Sequence, residues 1–62
     1  MCKLTVRRRA ETARTALSVA ELEAFTAWHL DQPDLVDLWA GIQVACAHEL
    51  AECQAAIAAG VP

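Results

Sequence analysis

Residues 33–59, PDLVDLWAGIQVACAHELAECQAAIAA, decide the fold. Pro33 suits the first turn of a helix, where its missing N–H is no loss, and Asp34 and Asp37 sit favourably against the positive end. The next strong breaker is Gly60, the natural residue for a left-handed position just past a helix, with Pro62 beyond it. The stretch predicts one helix of about 26 residues, roughly 39 Å long. Gly41 interrupts it at a cost of about 1 kcal/mol relative to alanine.

Wound at 3.6 residues per turn, this helix has two seams. Leu35, Trp39, Ile42, Cys46, Leu50, Cys53 and Ile57 share one stripe. Val36, Ala40, Val44, Ala47, Ala51 and Ala58 form a second, about 120° away, made mostly of small residues that permit close approach. Only a wedge around Asp37, Gly41, His48 and Glu52 is clearly polar. A helix with one neighbour needs one stripe, so the second seam predicts another contact.

Upstream, Ser18-Val19-Ala20-Glu21 reads as a capping box, with Leu17 and Leu22 at the staple positions around it. It predicts a helix over 19–30 whose packed face carries Leu22, Phe25, Thr26 and His29, leaving Trp28 pointing away. Asp31-Gln32-Pro33 ends that helix, because the residue before proline is driven out of helical geometry. Residues 6–17 also fit a helix, with Val6, Ala10, Ala13 and Leu17 on one side. Residues 3–8 alternate polar and apolar as a short strand would. Helix is favoured, and a 12-residue helix 19–30 would cover only half of its longer neighbour.

Sixty-two residues make one domain, 1–62, and a small one whose core is marginal alone. Its apolar stock is 18 large residues and 14 alanines, a composition of good helix formers that bury little. The longest uncharged run of the second half, Leu38 to Ala47, is too short to span a bilayer, so no membrane role is expected. Cys46 and Cys53, seven residues apart on one helix, are too distant for a disulfide. With Cys2 they read as reduced thiols of a cytoplasmic protein.

Charge divides the chain. Residues 1–17 hold every basic residue, Lys3, Arg7, Arg8, Arg9 and Arg14, against Glu11; residues 18–62 hold seven acids and no lysine or arginine. The basic segment can pair with acids of its own assembly, with phosphates or with an acidic protein. A strand at 3–8 followed by two helices would resemble the ribbon-helix-helix repressors. That resemblance implies Lys3, Thr5 and Arg7 facing DNA, although here the capped helix begins ten residues later than the family's short passage from strand to helix.

No constellation for catalysis stands out. Ser18 is engaged as a cap, and two glycines cannot make a phosphate loop. His48 and Glu52 could share a metal, but the cysteines lack the spacing of a tight tetrahedral site, so no metal or other cofactor is expected. His29 reads as a core histidine. Trp28 and the basic residues are the candidate partner-binding groups.

The expectation is an all-α protein built on an antiparallel hairpin of helices 19–30 and 33–59 with a basic N-terminal helix or arm. Dimerisation through Val36, Trp39, Ala40, Val44, Ala47, Ala51 and Ala58 would complete a bundle. Such a chain is expected to be a regulatory or adaptor-type interaction module, not an enzyme, with itself and a further protein as partners. A small DNA-binding regulator and a structural subunit are the alternatives. The Ala- and Arg-rich, Lys- and Asn-poor composition suggests a GC-rich genome, and very small proteins of this kind are common among phage accessory genes.

Overall fold

The computed structural model describes residues 5–61; Cys2 and Lys3 of the sequence reading lie outside them. The described chain is two helices, α1 (Val6–His29) and α2 (Pro33–Ala58), folded back on each other as an antiparallel hairpin. α2 follows the sequence expectation to within a residue. Pro33 opens it with Asp34 in the first turn, and Gly60 closes it at φ 85°. The Gly60 amide donates to Ile57 O and the Val61 amide to Ala56 O, the paired bonds of a left-handed C-terminal cap.

α1 departs from the expectation. It runs without a break through Ser18, so the helix predicted from residue 19 and the basic segment before it are one element. Thr5 is the N-cap, its Oγ1 accepting from the Arg8 amide at 3.1 Å. Ser18 donates instead to Arg14 O one turn back, at 3.1 Å. The physical reason is the lack of any glycine or proline between residues 6 and 32. A mid-helix serine can satisfy its hydroxyl on its own helix, so the capping signal had nothing to interrupt. The strand alternative for residues 3–8 fails over its described part, which is helical from Val6, and no strand occurs among the described residues.

The packed face of α1 differs too. Leu22, Phe25 and His29 are exposed, and the buried residues are Ala10, Ala13, Ala20 and Ala27, with Val6, Leu17 and Ala24 half-buried among them. That order, spaced alternately by three and four, is a continuous stripe of seven-residue period. It extends the Val6–Ala10–Ala13–Leu17 side read from the sequence. Against it α2 presents the large-residue seam: Cys53 is buried, and Trp39, Ile42, Cys46, Leu50 and Ile57 are half-buried. Small side chains on one helix let the large ones of the other sit close to its backbone, and this complementarity overrides the rule that the bulkiest face turns inward. The 24-residue α1 therefore lines most of α2, where a 12-residue helix would not have.

Leu30, Asp31 and Gln32 make the connection. Asp31 adopts φ 55°; its amide donates to Trp28 O and that of Gln32 to Ala27 O, which caps α1 while reversing the chain. The result is a single layer, 44 × 24 × 13 Å, with two broad faces and two edges.

Candidate interaction surfaces

One broad face is marked by a polar cross-link between the helices. Arg9 Nε donates to Glu49 Oε1 at 3.0 Å, and Nη2 binds the same oxygen. The hydrogen bond and charge of Glu49 hold the Arg9 pKa above its ordinary value, and Arg9 holds the Glu49 carboxyl below the usual carboxylate range. Glu49 also accepts from Cys53 Sγ at 3.6 Å, while burial pushes the Cys53 thiol up. Beside this pair the small side chains Ala16 and Ala45 leave an open groove of about 430 Å³, floored by Ala13 and Cys46. Its lining is apolar except at Arg9, Thr12 and Glu49.

The opposite face is marked by Trp28. With Val36, Asp37 and the connecting Asp31, Gln32 and Pro33, it lines a shallow cleft of about 290 Å³. Further along this side α2 exposes the small-residue seam: Ala40, Val44, Ala47, Ala51 and Ala58 all face solvent, Val44 at 72%. Val36 is half-buried at the cleft, and Trp39 is half-buried with the large-residue seam rather than in the open one.

The outer edge of α1 carries the residues that were expected inside. Leu22 is 63% and Phe25 59% exposed. His29, expected in the core, packs at the surface between two aromatic rings, its centroid 4.3 Å from Phe25 and 5.1 Å from Trp28, both edge to face. Trp28, expected to point away from the Leu22–Phe25–His29 face, lies against His29 and is 67% exposed. Leu30 and Leu38 extend the exposed apolar surface near the connection.

Of the basic candidates, Arg7, Arg8, Arg9 and Arg14 are all exposed on the first half of α1. Only Arg9 is joined to an acid by an ion pair among the described residues. His48 Nε2 lies 3.6 Å from Glu52 Oε1, a surface pair one turn apart. Among the described residues no three metal-binding side chains gather. No helix of the described chain is long and apolar enough to cross a membrane. The groove between Ala16 and Ala45 and the exposed Leu22–Phe25 edge escaped the sequence reading. The signal that would have found them is the alanine stripe continuing through Ser18, which turns both outward. Compared with protein-family models, with curated proteins and with solved structures, the chain gives no match.

Proposed function

We propose that this chain is a small helical interaction module, regulatory in the manner of an adaptor or inhibitor, which acts as a homo-oligomer and carries a further protein partner on its exposed apolar surface. The observation that carries the reading is the single-layer build. Stable domains usually bury a core between two layers, and among the described residues this hairpin encloses four alanines and one cysteine. A compact chain of its mass would expose about 3,900 Å². The hairpin exposes 4791 Å². The surplus, about 900 Å², is close to the area one partner contributes to a standard protein interface. Large apolar side chains, among them Leu22, Phe25, Trp28, Leu30, Leu38 and Val44, are exposed, and such surface marks protein contact sites.

Sedimentation equilibrium of the full chain at micromolar concentration tests the oligomer. A dimer or larger species is expected, and a stable monomer of 6.7 kDa overturns it. Binding of the further partner is expected to weaken when Leu22 and Phe25 are replaced by alanine and to resist high salt, as apolar contacts do and phosphate contacts do not.

A further inference from the structure

Arg7, Arg14, Glu21 and Trp28 follow one another at intervals of seven along α1 and form a single row beside the packed stripe, on the Trp28 face. All four are exposed, and the ion pairs among the described residues, Arg9–Glu49 and His48–Glu52, use none of them. Even spacing gives the row a symmetry. A two-fold axis crossing it between Leu17 and Ser18 exchanges Arg7 with Trp28 and Arg14 with Glu21. Two copies of α1 laid antiparallel about that axis oppose guanidinium to carboxylate twice and guanidinium to indole ring twice. A parallel pairing in register would oppose like to like. We propose that this row docks a second copy of the chain, the two hairpins stacking face to face with their connections at opposite ends and α1 lying along the partner's α1 in this register.

The rest of the face fits the same axis. All five carboxylates of residues 18–40, Glu21, Glu23, Asp31, Asp34 and Asp37, lie in the half of the hairpin nearest the connection, which has no lysine or arginine. The four arginines all lie in the open half, where they outnumber Glu11, Glu49 and Glu52. Reversed stacking brings each acidic half over an arginine-bearing half, and parallel stacking would crowd the carboxylates together. Counting outward from the turn, the axis meets α2 between Val44 and Ala45. It falls within the open seam of Ala40, Val44, Ala47 and Ala51. These exposed positions are small enough for two α2 helices to approach closely. The contact is isologous, the same patch meeting itself on the two copies, as a closed two-fold dimer requires.

This arrangement rests on self-association, and charge exchange separates the two ideas. Arg14→Glu and Glu21→Arg are made singly in the full chain, with helix content checked by circular dichroism and assembly followed by sedimentation equilibrium at low salt. Each variant alone opposes like charges at two places, so its dissociation constant is expected to rise about tenfold. An equal mixture of the two variants is expected to form the heterodimer in preference to either homodimer, because every opposed pair regains opposite sign. The chain carrying both exchanges is expected to return to the parent affinity. If the parent dimerises and both single variants dimerise as tightly, with no preference on mixing, this register is wrong and self-association stands. A parent chain that stays monomeric overturns both.

Discussion

Thr5 and Ser18 each place a hydroxyl within reach of helical backbone, yet the two do opposite things. Thr5 accepts from a free amide at the start of α1, whereas Ser18 donates to a carbonyl already bonded inside it. Thr5→Ala is therefore expected to lower stability by about 1 kcal/mol. Ser18→Ala is expected to leave stability unchanged or raise it by up to about 0.5 kcal/mol, since alanine is the better interior residue. Urea unfolding of the two variants checks this, and the reverse order would restore a helix start at residue 19. The thiols differ in the same local way. Cys53 is 1% exposed and Cys46 half-buried at the groove, so Cys46 is expected to react before Cys53 with a thiol reagent under native conditions. Equal rates would mean that the helices part readily. Glu49 sets a pH dependence. Its folded pKa lies below the unfolded value, so the support from Arg9 is full at neutral pH and is lost as acid protonates Glu49. Parent and Glu49→Gln are expected to differ in urea midpoint at neutral pH and to converge in acid.

At the scale of the helices, α2 was legible because its signals agree. Pro33 at the start, Gly60 at the end and a large-residue stripe between them all describe one element, and the predicted seam is the one that packs. α1 was not, because two local rules conflicted. The Ser18 box is a correct motif in the wrong context, and the bulk of Leu22 and Phe25 competed with an alanine stripe that looks like mere helix-forming background. Alanine carries little hydrophobic signal, so a seam made of it is visible only as spacing. Its role is steric, and this yields a test. Ala20 is fully buried, and Ala20→Leu is expected to wedge the helices apart and destabilise the fold by about 1–3 kcal/mol, measured by thermal unfolding. Ala47→Leu, on the open seam, is expected to leave the hairpin itself intact. Equal losses would show that α1 does not pack through its alanines.

For the molecule as a whole, self-association is proposed on different ground from that given by the sequence. The expected shortfall was a helix too short to cover α2. The observed one is a layer covered on neither face. The open small-residue seam was legible because it needed only the period of α2. The exposed edge of α1 was not, since it follows from the direction in which α1 turns. If two hairpins stack, folding and assembly are linked, and the thermal midpoint is expected to rise with protein concentration. Ala47→Glu, which sets a charge within the covered face, is expected to lower that dependence. A midpoint independent of concentration, together with a monomer by sedimentation, would leave the hairpin stable alone.

The 13 Å thickness has a further consequence, in the clock of backbone amide exchange. In a layered domain some amides lie behind a second sheet or helix and exchange only on global unfolding. Here every amide of α1 and α2 is one helix away from solvent, so opening either helix releases its protons. Slow exchange over both helices would therefore report what lies on the faces. The residues that slow when the protein is concentrated would trace the footprint of the covering chain, and any that slow only with a foreign partner would trace that partner's.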